Sequence, residues 1–306
     1  MTSSNKGWIE VAAKILSPVK VLIFRLYYQF SVRKYKQIHL LSFKETISAI
    51  VNGKVSVARF GDGEIKWMLN IPQDSFQEGD KQLSARLAEV LSEGQLEGFL
   101  VCLPEIFKSH KGMNKQTKLF WLKFFFWHGT AILPYMKPDG IYGDAQITRC
   151  YIGHKDKSGA AERFTALKTI WENRDVLIVE GEHTRLGVGN DLLGNARSVS
   201  RILCPSSNAF GRYEEILAAA SRLSKDRLIL IALGPTATVL ALDLHKTGYQ
   251  AIDIGHIDIE YEWYLRGAQS KISIPGKFVN ESDNHMLNVR NYDKDYLDQI
   301  IARIGC

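Results

Sequence analysis

The stretch Val55-Ser56-Val57-Ala58-Arg59-Phe60-Gly61-Asp62-Gly63-Glu64 joins a fold-defining strand to a chemically unusual turn. Its first half is a short β-branched run, which is typical of a buried strand, and Gly61 and Gly63 permit a sharp turn after it. Asp62 and Glu64 then place two carboxylates two residues apart. Such hard oxygen ligands can reach one Mg2+ or Mn2+ ion, and the neighbouring glycine amides leave room for a phosphate. The alternative is an ordinary polar turn after a strand.

Apolar runs and helical patterns alternate along the rest of the chain. Further strands are predicted at 98–104, 140–147, 175–179, 201–205, 228–233 and 251–254. Helical patterns lie at 42–52, 81–93, 159–173 and 235–246. Ser206 and Ser207 are expected to cap another helix, and the aromatic run at 120–127 predicts a buried one. This alternation predicts an α/β fold, a mostly parallel Rossmann-like sheet with helices on both faces.

Length and composition are compatible with one large domain. Of the 306 residues, 45% are hydrophobic and 24% are charged, as in ordinary globular proteins. No repeat, low-complexity tract or Pro/Ser-rich linker divides the chain, so we predict a single domain over 37–306 with an N-terminal helical arm over 1–36. The four cysteines show neither a metal-binding nor a disulfide pattern, so we expect a reducing, cytoplasmic location.

The N-terminal arm carries the charge excess of the chain. Residues 1–36 contain seven Lys and Arg against Glu10 alone, which accounts for the formal net charge of +6. Apolar residues recur between these charges at helical spacing: Val19, Ile23, Leu26 and Phe30. No membrane span or secretory signal is predicted. Either this helix packs on the domain, or it contacts an anionic membrane surface, the inner face of the plasma membrane. No nucleic-acid partner is expected, because the rest of the chain is neutral and lacks a binding motif.

The polar residues that we expect to carry the chemistry follow the predicted strands. They are Arg149, Glu182, Arg185, Asn190, Asp191, Asn208, Gly234, Pro235, Thr236, His256, Asp258 and Glu262. Ligands of an open parallel sheet bind beyond the carboxyl ends of its strands. We therefore expect these residues to converge with Asp62 and Glu64 on one edge of the sheet.

Each of these groups has a chemical use and a structural alternative. The Gly234-Pro235-Thr236 turn opens a helix and offers free amides to a phosphate, or it is an ordinary capped turn. Arginines can neutralise a diphosphate, as proposed for Arg149 and Arg185, or form structural ion pairs. Asn190 and Asp191 suit sugar or ribose hydroxyls, or a helix cap. The set His256, Asp258 and Glu262 offers a general base, a further metal contact or a structural role.

Five motifs, in this order, resemble the GT-D type bacterial glycosyltransferases. They are Ala58-Arg-Phe-Gly-Asp-Gly-Glu64, Gly187-Val-Gly-Asn-Asp191, Pro205-Ser-Ser-Asn-Ala-Phe210, Leu233-Gly-Pro-Thr-Ala-Thr238 and Gly248-Tyr-Gln-Ala-Ile-Asp-Ile-Gly-His-Ile-Asp258. That family was formerly a domain of unknown function and is known from glycosylation of serine-rich streptococcal adhesins. The resemblance covers residues 45–270. It implies a Rossmann-like domain that binds a UDP-sugar with a divalent metal through an Asp-x-Glu motif, here Asp62 and Glu64.

We therefore predict a metal-dependent glycosyltransferase that moves a hexose from a UDP-sugar to a glycan acceptor on lipid or protein. Asp62 and Glu64 would hold Mn2+ or Mg2+ against the diphosphate. Arg59, Phe60 and the backbone of Gly61–Gly63 would flank the nucleotide. One of His256, Asp258 and Glu262 would act as the base if the reaction inverts configuration.

Two other functions use the same residues. A metal-dependent phosphohydrolase of nucleotides or sugar phosphates would employ the same carboxylates and release free phosphate. A non-catalytic nucleotide-binding partner of a larger glycosylation complex would bind without turnover.

Overall fold

A computed structural model describes residues 18–73, 77–278 and 294–306 of the chain. Within these ranges nine strands form one sheet. They are β1 (His39–Leu40), β2 (Ser56–Arg59), β3 (Phe99–Leu103), β4 (Ile141–Asp144), β5 (Asp175–Gly181), β6 (Ser198–Cys204), β7 (Leu228–Ala232), β8 (Gln250–Asp253) and β9 (Ile300–Arg303). Their order in the sheet is β1-β4-β3-β2-β8-β7-β5-β6-β9, and every neighbouring pair is parallel.

Ten α-helices connect or flank these strands in the described residues. The first, α1, covers residues 18–31. The others are α2 (Phe43–Asn52), α3 (Asp62–Met68), α4 (Lys81–Glu93), α5 (Lys115–His128), α6 (Ala160–Lys168), α7 (Tyr213–Ala220), α8 (Pro235–Lys246), α9 (Ile257–Leu265) and α10 (Lys294–Gln299).

Helices cover both faces of the sheet, and the alternation of side chains along the strands explains why. In β2, Ala58 belongs to one buried cluster, with apolar residues of α4, α5, α7 and α8. Val57, its neighbour, belongs to a second cluster with residues of α2, α6 and α9. Successive side chains of a strand point to opposite faces, so a strand buried on both faces must be apolar throughout. The predicted fold class, a mostly parallel Rossmann-like sheet with helices on both faces, is confirmed.

Local capping chemistry explains several of the helix bounds. Ser42 and Glu45 form a reciprocal capping box at the start of α2, with the Glu45 carboxylate accepting the Ser42 amide at 2.7 Å. The expectation that Ser206 and Ser207 cap a helix was wrong. Asn208, in the left-handed region at φ 55°, instead precedes a 3-10 turn over Ala209–Arg212 that leads into α7. Asn tolerates that backbone region better than most residues, so it can begin the turn.

The arm and the aromatic helix pack against each other. The ring of Tyr28 lies 5.1 Å from the ring of Phe125 in α5, and the hydroxyl of Tyr35 donates to the carbonyl of Gly129. The aromatic run was expected to form a buried helix, but its burial is incomplete: Trp127 is 65% exposed. Residues 1–17 of the predicted arm lie outside the described residues, and the division at residue 36 stays a prediction. In the described residues, no helix combines the length and apolarity needed to cross a bilayer.

Candidate active site

A cavity of about 740 Å³ opens at the carboxyl ends of the strands. Segments that follow seven different strands line it. One residue from each segment is Asp62 after β2, Pro104 after β3, Gln146 after β4, Gly181 at the end of β5, Ser206 after β6, Gly234 after β7 and His256 after β8. A parallel sheet brings these ends together although they are far apart in sequence. The predicted convergence at this edge is therefore present for part of the expected set.

Asp62 and Glu64 lie in the first turn of α3 and both line the cavity. The turn after β2 is tighter than expected, because the helix begins at Asp62 itself. Glu64 accepts the amide of Gly61 at 2.8 Å, and Asp62 accepts Lys66 Nζ at 2.9 Å, one helical turn further on. Carboxylates in a first helical turn are stabilised by the unpaired amides there.

The carboxylate of Glu64 lies where negative charge is poorly compensated. Burial and the nearby charge of Asp253 raise its pKa to about 7, against an ordinary value of 4.5. Asp253 is itself buried, and burial raises its pKa as well. The donor set of Asp62 and Glu64 thus consists of hard oxygens in a site with surplus negative charge, which fits a divalent cation. The described ranges contain no group of three or more His, Cys, Asp or Glu suited to a metal ion.

Arg59 holds this part of the cavity together. Its Nε donates to the Asp253 carbonyl at 2.8 Å and one terminal nitrogen donates to the Asp253 carboxylate at 2.9 Å. The other terminal nitrogen donates to the carbonyl of Ala145 at 3.2 Å. Gly255 makes room for the guanidinium, since a Cβ there would lie 1.8 Å from it, and its φ of +48° also favours glycine. Arg59 lines the cavity beside Phe60, yet its guanidinium donates to protein acceptors.

The start of α8 lies at the cavity wall. Gly234 has φ +54° and precedes Pro235, the first helical residue, and both line the cavity. Thr236 is fully buried and is not among the lining residues. Its hydroxyl has no hydrogen-bond partner among the residues that the structure describes. The amino end of a twelve-residue helix carries a partial positive charge, which favours an anion at this end.

The acids predicted on α9 belong mostly to a buried network. Asp258 accepts the Gly187 amide at 2.9 Å, Asn190 Nδ2 at 2.9 Å and Lys277 Nζ at 2.7 Å. Glu262 accepts Asn190 Nδ2 at 2.8 Å and Lys277 Nζ at 3.1 Å. Although burial opposes ionisation, these hydrogen bonds and the charge of Lys277 lower the pKa of Glu262. Asp258 reaches the cavity lining, whereas Asn190 and Glu262 do not.

Glu260 is a cavity residue that the sequence analysis missed. It is fully buried on α9, and one carboxylate oxygen accepts the amides of Tyr151 and Ile152, both at 2.9 Å. The other oxygen lies 3.8 Å from a terminal nitrogen of Arg149, which also lines the cavity as predicted. The alternation Asp258-x-Glu260-x-Glu262 was the available signal, because three acids in a helix start need partners if they are buried.

Two predicted residues near the end of β5 lie away from the cavity lining. Arg185, with φ +50°, donates to the carbonyl of Gly276 at 3.4 Å, and its guanidinium lies 5.3 Å from the ring centre of Tyr296. Glu182 lies 3.8 Å from Arg303 of β9. These contacts favour a structural role for both residues, which for Arg185 was the alternative that the sequence left open.

Two more predicted residues have structural partners. Asp191 accepts Lys168 Nζ at 2.8 Å and the hydroxyl of Tyr261 at 2.6 Å. Asn208 accepts the amide of Glu78 at 2.6 Å. Neither is among the lining residues of the cavity.

The beginning of α5 and the residue that caps it, Asn114, line the cavity. The sequence had predicted that this helix belongs to the core. Its contributions combine amides, a hydroxyl and two aromatic rings: Asn114, Gln116, Thr117, Phe120 and Trp121. Aromatic rings with neighbouring hydrogen-bonding groups are common in sites that bind organic ligands. The dense aromatic composition concealed this polar first turn.

Residues 57–282 match the family described as glycosyltransferase GT-D fold. The chain belongs to the GT-D glycosyltransferase family. The probable glycosyl transferase Gly of Streptococcus gordonii is 40% identical over 272 residues, covering 88% of this chain and 39% of that protein. The glycosyltransferase GlyD of Streptococcus pneumoniae serotype 4 is 39% identical over 277 residues, covering 87% of this chain and 33% of that protein. The chain thus spans between a third and two fifths of the length of these curated relatives.

Solved structures agree with this GT-D membership. A structure of the domain of unknown function 1792, described as having a distinct glycosyltransferase fold, superposes with a TM-score of 0.84 at 40% identity. It covers 91% of this chain and 100% of that one. A structure described as a new glycosyltransferase from Streptococcus sanguinis gives 0.83 at 39% identity, covering 88% and 100%. The resemblance to GT-D glycosyltransferases is therefore confirmed over most of the chain.

Proposed function

We propose that this GT-D chain transfers a hexose from a UDP-sugar to a glycan acceptor. The observation that carries the proposal is the pairing, in one cavity, of Asp62 and Glu64 with the amino end of α8. A nucleoside diphosphate needs compensation of its negative charge on more than one side, and these two features supply a metal-binding carboxylate pair and helix amides. The cavity volume of about 740 Å³ lies in the range of organic-ligand sites.

Asp62 and Glu64 would hold the Mn2+ or Mg2+ ion. The described residues supply this pair rather than a larger carboxylate cluster, so diphosphate and water oxygens would complete the coordination. A divalent ion at this position stabilises the negative charge that develops on the departing UDP. Lys66, which pairs with Asp62 at 2.9 Å, balances that carboxylate when no cation is bound.

The other lining residues would bind either the sugar-nucleotide donor or the sugar acceptor. The amides of Gly234 and its helix, together with Arg149, would bind the diphosphate. Phe120 and Trp121 of α5 offer apolar ring faces to a sugar. Among the three candidate bases we favour His256 for an inverting reaction, because Asp258 and Glu262 both accept a hydrogen bond from Lys277.

We further propose a cytoplasmic location, with a glycan acceptor carried on lipid or protein and no nucleic-acid partner. The widely spaced cysteines support a reducing compartment, since three of the four are buried and all are free in the structure.

One assay separates this function from its alternatives. Purified chain is incubated with a panel of UDP-sugars and Mn2+, and UDP release is read with and without glycan acceptors. We expect acceptor-stimulated UDP release from one donor, lost in Asp62→Asn and kept in Glu172→Gln, an exposed acid outside the cavity. Phosphate release without any acceptor effect would instead indicate a phosphohydrolase. Binding of UDP without turnover on any donor would indicate a non-catalytic partner.

A further inference from the structure

Helix α1 has two contrasting sides. One side packs on the domain, where the ring of Phe24 lies 5.0 Å from that of Phe126 in α5 and Tyr28 is buried. The other side exposes an apolar stripe whose members are between 46% and 66% exposed: Val19, Leu22, Ile23, Leu26 and Phe30. These residues recur every three to four positions, so they form one continuous surface along the helix. Within the described part of the chain, packing on the domain thus leaves a second apolar side of α1 exposed.

Helix α5 extends this surface. Trp127 is 65% exposed and its ring lies 5.1 Å from that of Phe126, which in turn contacts Phe24 and Tyr27 of α1. The exposed stripe of α1 and Trp127 are together called the α1–α5 face. Single exposed apolar residues are normal on a protein surface, but five along one side of a helix, with an exposed tryptophan on the helix packed beside it, mark a candidate interaction surface.

The two segments that carry the α1–α5 face are strongly basic, and acids stand at their borders: Glu45, Glu105 and Asp139. Residues 18–44 and 106–138 contain twelve Lys and Arg and no Asp or Glu. The two segments pack together, for example where Lys108 Nζ donates to the Leu40 carbonyl at 3.0 Å. Since the whole chain carries +6, the residues outside these two segments carry a net charge of −6. The two segments that carry the exposed apolar surface therefore also carry the excess positive charge of the chain.

We propose that the α1–α5 face docks on an anionic lipid bilayer, with α1 lying in the interface. Such a bilayer provides an apolar layer in which the stripe can be buried, and negative headgroups that attract the surrounding cations. Arg33 already lies 5.7 Å from the ring centre of Phe30, so a cation and an apolar side chain share one position. A second copy of the chain is a poor occupant, because it would bring the same cationic segments against the first.

Docking through this face places the cavity beside the membrane. Helix α5 reaches from the cavity, where Phe120 and Trp121 line the wall, to Trp127 in the face. Fourteen helical residues span about 20 Å, so the cavity lies within the reach of a glycan attached to a lipid headgroup. This part of the proposal rests on the proposed glycosyltransferase function and selects the lipid-linked acceptor over the protein-linked one.

Vesicle binding tests the docking without using catalysis. The full chain is sedimented with phosphatidylcholine vesicles and with vesicles containing phosphatidylglycerol, at low and high salt. We expect binding to the anionic vesicles that weakens with salt, and at least a tenfold higher lipid requirement for Leu22→Ser/Leu26→Ser. The matched control is Leu265→Ser/Leu297→Ser, which changes two leucines of similar exposure on other helices and should bind as the unchanged chain does.

Brominated lipids give an independent readout of the contact. Quenching of tryptophan fluorescence by brominated anionic vesicles should decrease in Trp127→Phe, because Trp127 lies in the face. Equal binding to neutral vesicles, no binding to either kind, or unchanged binding by the Leu22/Leu26 variant would overturn the proposal. The proposal would also be overturned if light scattering showed a dimer that is absent in the Leu22/Leu26 variant, since the face would then join two copies of the chain. UDP release without vesicles should be the same in both leucine variants, which separates this proposal from the proposed function.

Discussion

Two Asp/Glu pairs lie on helices that begin at the same edge of the sheet, and their surroundings differ. Asp62 and Glu64 open α3, where Lys66 and one backbone amide contact them. Asp258 and Glu262, on α9, share hydrogen bonds from Asn190 and Lys277. The carboxylates of the second pair have several hydrogen-bond donors within the protein. Those of the first pair have fewer, so their negative charge is less fully neutralised. A carboxylate with few protein partners can bind a ligand, whereas one that is fully bonded mainly holds the fold together.

The largest expected effect comes from the α3 pair. Replacing Asp62→Asn removes a metal-binding oxygen while keeping the side-chain size, so turnover should fall at least about a thousandfold. The melting temperature should change little, because the lost Lys66 contact is a partly exposed ion pair. Steady-state UDP release with thermal melting checks both values. Turnover within a few-fold of the unchanged chain would contradict the role of α3.

The α9 pair should respond in the opposite way. Lys277→Met leaves two buried carboxylates without their shared cation, which typically costs about 3–5 kcal/mol. Urea unfolding should therefore show a large loss of unfolding free energy. In Lys277→Arg, which keeps the charge, a smaller loss is expected. If both variants unfold at the same urea concentration as the unchanged chain, the network does not stabilise the fold.

The support of the α3 pair by Arg59 can be tested through a glycine. Gly255→Ala introduces a Cβ 1.8 Å from the Arg59 guanidinium at a backbone φ of +48°. We expect a loss of about 2 kcal/mol of unfolding free energy, since the strained backbone and the displaced guanidinium both contribute. Gly211→Ala is the control, because a Cβ there meets nothing within 4 Å. Equal stability of the two variants would show that Arg59 needs no such space.

The smallest expected effect is a difference in pH dependence between Glu64 and Glu262. Folding raises the pKa of Glu64 from 4.5 to about 7, so the folded state keeps a proton that the unfolded state loses in between. In metal-free protein the unfolding free energy should therefore fall as pH rises from 4.5 towards 7, and Glu64→Gln should reduce that slope. Asp144 titrates in the same window, because burial raises its pKa to about 7, so part of the slope should remain.

The pKa of Glu262 is lowered, and its sign is opposite. Its carboxylate stabilises the fold above its ordinary pKa, and that contribution is lost as pH falls below 4.5. Melting curves of Glu262→Gln should thus differ from the unchanged chain near neutral pH and converge with it in acid. Parallel pH profiles for the two glutamine variants would contradict the contrast between the pairs.

Local sequence patterns were sufficient to predict most of the helices and strands of the fold. The predicted helix at 81–93 matches α4, and the start of α8 follows from Pro235 in its first position. The strands β1 and β9 were missed because two and four residues at the sheet edges carry too little apolar signal. The helix α3 was missed because seven residues between glycines and a loop resemble an extended turn.

The site was harder to predict, because the partners of each polar residue come from distant segments. Asp62 and Asp258 both follow a strand and precede a glutamate, so their local sequences do not separate them. What separates them is Lys277, which lies on a later segment and contacts only the α9 pair. The local sequence around Arg185 likewise predicts diphosphate binding, whereas its guanidinium lies against the ring of Tyr296 of α10. Such long-range contacts depend on tertiary packing, which spacing along the chain does not encode.

The most direct test of the contrast between the pairs is calorimetric titration of UDP with and without Mn2+. The unchanged chain and Glu172→Gln should bind UDP more tightly when Mn2+ is present. The Asp62→Asn/Glu64→Gln variant should lose that gain, because its α3 pair no longer holds the ion. If this variant keeps the full Mn2+-dependent gain, the metal is bound elsewhere and the assignment of the α3 pair is contradicted.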